Sequence, residues 1–130
     1  MREVIIVISV LVLILGCSIY ARNHIKKNSN ELIDKLEKLK EGIEKAEKSD
    51  DKDKIIKEAK DICEEWERIS KSWSVIVLHD ELDMIETSLI RMKSKIQSEE
   101  IEQAIEELDV SIFLLKHISE KEAFNLRNIF

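Results

Sequence analysis

Proline is absent from the 130 residues, glycine and cysteine occur twice each, and aromatic side chains make up 5% of the chain. Without proline and with so little glycine, the tight turns that a sheet protein needs are missing, so long helices are expected. The two cysteines, Cys17 and Cys63, lie in an apolar segment and in the body of the chain respectively, which leaves the folded part without a disulfide. Basic stripes are missing too. The net charge is -6, and because Arg2, Arg22, Lys26 and Lys27 stand against Glu3 alone, residues 1–27 are basic and the acidic excess falls on the rest. Such a surface repels phosphate backbones, so nucleic acid is not the expected partner. A glycine-rich phosphate loop, a Cys-x-x-Cys pair and a Ser/His/Asp order are likewise absent, and neither a catalytic activity nor a cofactor is indicated.

What is present begins with an uncharged run from Val4 to Tyr20, flanked by Arg2 and Arg22. As a helix it spans about 25 Å, a little under a bilayer core of about 30 Å, and Tyr20 with the flanking arginines suits the interface. The expectation is a single-pass cell-membrane protein, with residues 1–27 an anchor carrying a short basic flank and residues 28–130 an acidic helical domain. Ile14-Leu15-Gly16-Cys17 resembles a bacterial lipobox, whose alternative is an ordinary apolar cysteine in a membrane helix. Basic residues after the span outnumber those before it, which on the positive-inside rule keeps the domain cytoplasmic. Short N-terminal anchors of bacterial proteins more commonly export their domain, and an extracytoplasmic domain is the expectation.

Four windows beyond the anchor repeat apolar residues alternately four and three apart. The first is Leu32, Leu36, Leu39, Ile43 and Ala46, with Asn28 and Glu31 spaced as a capping box. The second is Ile55, Ala59, Ile62, Trp66, Ile69 and Trp73, the third Leu78, Leu82, Ile85, Leu89, Met92 and Ile96. The fourth is Ile101, Ile105, Leu108, Ile112, Leu115 and Ile118, introduced by Ser98 as N-cap. Each stripe must be buried against the others, and the short connections force antiparallel neighbours. The fold expected is all-α, a transmembrane helix followed by an antiparallel four-helix bundle, the membrane helix either separate from the first bundle helix or running straight into it. A helix continuing through Ser70, Ser72 and Ser74 gives the alternative, a three-helix coiled-coil hairpin with one long bent helix. Heptads of this length also fit an oligomeric coiled coil, although no e/g charge pattern selects a partner strand.

Chemistry, if any, concentrates in the acidic patch around His79. His79, Asp83 and Glu86 are spaced to share a helical face, and a hairpin turning at residues 97–98 brings His117 level with His79. That group suggests a zinc or manganese site. The plainer account is a charged flank on a helix with an acidic first turn, because di-metal bundles repeat Glu-x-x-His on two helices and this chain does not. Trp66 and Trp73 read as core anchors and Cys63 as a small buried hydrophobe.

The apolar span, Asn30-Glu31-Leu32, the Trp66 and Trp73 pair, His79-Asp80-Glu81-Leu82-Asp83, Ile85-Glu86, Ser88-Leu89 and Asn128-Ile129-Phe130 together resemble a known family. It is that of small single-span proteins of Gram-positive spore-forming bacteria known as domain of unknown function 4363. Cys17 lies outside those motifs. The resemblance implies a membrane-associated helical protein and carries no activity. The function expected is a non-enzymatic interaction or scaffolding module docking on another membrane or envelope component, through a face including Asp80, Asp83, Glu86, Ile129 and Phe130. The alternative is a metal-dependent activity at His79, Asp83, Glu86 and His117.

Overall fold

The computed structural model describes residues 1–46 and 49–129, with side chains described outside residues 47–51 and 122–130. Four helices follow in order, α1 (Arg2–Lys45), α2 (Ser49–Trp73), α3 (His79–Gln97) and α4 (Ile101–Ile129), with no strand among the described residues. Each helix packs on its neighbours in sequence and α1 closes the ring on α4, while the diagonal pairs do not meet. This is the antiparallel four-helix bundle. The three-helix alternative falls because the chain leaves α2 at Trp73, where the Ile76 and Val77 amides both donate to the Trp73 carbonyl. Ser70, Ser72 and Ser74 donate to carbonyls three residues back and so finish α2 rather than cap a new helix.

The apolar N-terminal segment and the first bundle helix are one helix. At 44 residues α1 is about 66 Å long. Asn28 and Glu31 therefore cap nothing; the Asn28 side chain instead lies 3.1 Å from His24 Nε2 on the preceding turn. No residue before Ile25 is buried, whereas Ile25, Leu32, Leu36, Leu39 and Ile43 line the core. The apolar half of α1 is the one helical stretch among the described residues long and apolar enough to cross a membrane.

The α2 stripe is buried as spaced, from Ile55 to Trp73. The next two windows shift. Val77, 4% exposed, enters the core in place of Leu78, which is 65% exposed, because α3 starts only at His79. On α4, Ala104 and Ser111 are buried while Ile101 is exposed and Ile105 half-buried. Small residues there let α4 approach its neighbours closely. Ser29 of α1 donates to the Leu115 carbonyl of α4, and Ser111 lies 2.9 Å from Ser88 of α3, so the buried hydroxyls are satisfied across helix contacts.

The turn between α3 and α4 also differs from its sequence reading. Ser98 is the C-cap of α3, not the N-cap of α4. Glu99 takes φ 63°, its amide donates to Ile96 and that of Glu100 to Lys95. Those two bonds make a Schellman motif with glutamate at the left-handed position that glycine usually fills. Ion pairs tie the ring at several levels: Lys35 to Glu65, Lys40 to Asp109 at 2.8 Å, Lys52 to Glu99, and Lys121 to Glu81 at 2.8 Å. They also fix the two ends. Lys52 and Glu99 join the two connections at the end far from the apolar half of α1, while Ser72, just before the α2–α3 connection, sits 3.2 Å from His24 at the near end.

Candidate functional site

Helix α3 positions the acidic patch. Leu82, Ile85, Leu89 and Met92 turn its inner face to the core, and the same 3.6-residue period turns His79, Asp80, Asp83 and Glu86 outward, all four exposed. Glu81 alone of the patch engages a neighbouring helix, through Lys121. His117 is also exposed, stacked on Phe113 with ring centroids 6.2 Å apart.

His79, Asp83, Glu86 and His117 are not brought together. Among the described residues no group of three or more His, Cys, Asp or Glu side chains is placed to hold a metal ion. The reason is register as well as direction. The α3–α4 turn falls at residues 98–100 rather than 97–98, and Ser88 meets Ser111 while Glu81 meets Lys121. His79 is therefore level with positions beyond Lys121, about one helical turn past His117.

The remaining expectations are placed as follows. Trp66 and Trp73 are buried, 2% and 0% exposed, and meet edge to face with centroids 5.5 Å apart. Among the described residues neither indole N–H has a partner, so the pair stabilises through packing. Cys63 is half-buried at the α2–α3 contact, its Sγ 3.7 Å from the Leu89 carbonyl; burial pushes the thiol above its ordinary value, which Lys93 opposes. A thiol held protonated is a poor nucleophile. Cys17 is exposed within the unbroken α1. Ile129 and Phe130 of the expected interaction face lie outside the residues with described side chains.

Sequence reasoning missed two polar arrangements. One is the buried contact of Ser88, Ser111 and Glu107, in which Ser88 Oγ lies 3.0 Å from the Glu107 carbonyl. Serines read as breaks in an apolar stripe, and only the facing helix shows them as partners. The other is the column Tyr20, His24, Asn28 on α1, whose four-residue spacing was the available signal; Tyr20 and His24 stack at 6.1 Å.

The outer surface between α3 and α4 is a groove lined by Asp83, Met84, Thr87, Arg91, Val110 and Leu114. Met84 in the groove is 54% exposed, and Phe113 elsewhere on the outer surface of α4 is 67% exposed. Fold and surface together define an all-helical protein, an antiparallel bundle continued at one corner by an unburied apolar helix, with its polar candidates spread over the outside. The chain belongs to the family described as Domain of unknown function (DUF4363), which matches residues 19–129. The match leaves Cys17 and most of the apolar half of α1 outside it. No curated protein and no solved structure matches the chain.

Proposed function

We propose that this protein is a membrane-anchored, non-enzymatic interaction module whose bundle docks on another membrane or envelope protein. The observation that carries the reading is the construction of α1, in which an apolar half with no buried residue continues without a break into the helix that lines the core. A rigid connection of this kind sets the bundle close to the bilayer and limits how far it strays. Docking surface is available on α3 and α4, where Asp80, Asp83 and Glu86 are exposed alongside Met84, Val110 and Phe113. Carboxylates around protruding apolar side chains suit a partner face with basic residues at its rim and an apolar centre.

The bundle is proposed to lie on the extracytoplasmic side. Labelling of Gln103→Cys with an impermeant maleimide in intact cells checks that placement, since a cytoplasmic domain reacts only after lysis. The docking reading is tested with a photo-crosslinking amino acid at Met84 or Phe113 of the full chain in native membranes. A discrete adduct from these sites, absent from a control at Glu44 on α1, is expected. Equal diffuse crosslinking from all three sites counts against a docking face.

A further inference from the structure

The connection between α2 and α3 departs from the other two. In sequence, Ala46-Glu47-Lys48 separates α1 from α2 and Ser98-Glu99-Glu100 separates α3 from α4, both charged. From Ser72 to Leu78 the chain carries no charge, and Val75, Ile76 and Leu78 stand 89%, 39% and 65% exposed. Val77 alone of the apolar four turns into the core, at 4% exposure. The folded bundle leaves the others with nothing to cover them. Large apolar side chains on a loop tip lose free energy in water, and three in one short connection are out of keeping with an otherwise charged surface.

Position supplies the occupant. His24 Nε2 lies 3.2 Å from Ser72 Oγ, so the loop emerges at the level of α1 where the apolar half begins. Tyr20, one turn of helix or about 6 Å further along α1, is itself 72% exposed and stacks on His24. Charge agrees with the position. Arg22, Lys26 and Lys27 on α1 and Arg68 and Lys71 on α2 make the α1–α2 side of this end basic, and no Asp or Glu occurs at positions 21–30 or 68–79. Acidic groups at this end lie on the other two helices, Asp80, Glu81 and Asp83 on α3 and Glu120 on α4, and Glu81 is paired with Lys121. Apolar side chains at a tip, an exposed tyrosine and a basic flank are what the interface of an anionic bilayer attracts.

We infer that the α2–α3 loop is a second membrane contact: Val75, Ile76 and Leu78 enter the headgroup boundary of the same bilayer that holds α1, with the five basic residues on anionic headgroups. The inference rests on the reading of α1 as an anchor. A single helix leaves a bundle free to swivel about it, and a second contact fixes which face points along the membrane and which away. The α3–α4 groove then has a set orientation toward a partner.

The test uses the full chain with Cys17→Ala and Cys63→Ala, reconstituted in vesicles of phosphatidylcholine and phosphatidylglycerol. A polarity-sensitive fluorophore is attached in turn to Val75→Cys, Ile8→Cys and Gln103→Cys. Emission at Val75 and Ile8 is expected to shift to the blue and to be quenched by nitroxide-bearing lipid, while Gln103 stays aqueous and open to iodide. Quenching at Ile8 with an aqueous Val75 overturns the loop contact and leaves the anchor standing. An aqueous Ile8 overturns both. Val75 shielded from iodide yet untouched by lipid nitroxide assigns the loop to a protein occupant and overturns the inference. In vesicles of phosphatidylcholine alone, the Val75 signal is expected to fall while that of Ile8 persists.

Discussion

Trp73 has no exposed surface and stands edge to face with Trp66, its indole N–H unpartnered. Trp73→Ala is therefore expected to cost about 3–5 kcal/mol in chemical denaturation. Trp73→Phe is expected to cost much less, since it keeps most of the apolar volume and removes a buried donor that bonds nothing. Equal losses would mean that the N–H is satisfied in solution. Glu99 holds φ 63°, a backbone region costly for a residue with a Cβ. Glu99→Gly relieves that cost and forfeits an exposed pair with Lys52, which is worth little in water. A melting temperature higher by a few degrees is expected, and a fall would show that the ion pair outweighs the strain. The buried tryptophans were legible in the sequence, but the left-handed turn was not, because Ser98 looked like a helix start.

The elements themselves were read well where one apolar stripe met one helix. Helix α2 carries its six stripe residues into the core as spaced, because nothing interrupts the heptad. The readings slipped at the ends. Leu78 and Val77 exchange places once α3 starts at His79, and α4 rolls so that Ala104 and Ser111 replace Ile101 and Ile105 at its closest contacts. The α3–α4 turn also has a defined response to acid. Hydrogen bonds from Lys52 and Lys95 hold the Glu99 and Glu100 carboxyls below the ordinary glutamate range. Groups with lowered values in the fold contribute stability that is complete above that range and is lost as pH falls through the depressed values. Amide exchange at residues 98–101 is accordingly expected to quicken first as pH drops below the ordinary range, once corrected for intrinsic rates. Because both groups are exposed the effect is small and local, and global unfolding at the same pH would contradict it.

For the molecule as a whole, the decisive feature is that the apolar half of α1 and the bundle share one rod. Ile25 is 1% exposed and already belongs to the core, three positions before residue 28. A fragment of residues 28–130 is expected to melt several degrees below one of residues 22–130, the loss of a buried isoleucine being worth about 1.5–3 kcal/mol. Equal melting temperatures would show that Ile25 contributes nothing outside the full chain. The candidate metal group failed at this level. Its spacing on α3 was right, but a turn placed one to two residues later shifted His117 out of level with His79, and the buried stripe left all four side chains on the outside.

By itself the sequence determined the helical class, the apolar half of α1 and the two tryptophans of the core. Those follow from local composition and period, which act along a few turns of chain. Only the tertiary structure decided where the helices stop, which hydroxyls are buried and which loop faces the apolar end. Each of those depends on residues far apart in sequence meeting across the bundle, Ser29 with Leu115, Ser88 with Ser111 and His24 with Ser72. Such meetings are settled by packing between helices, and a one-turn change of register rearranges all of them without altering a single stripe.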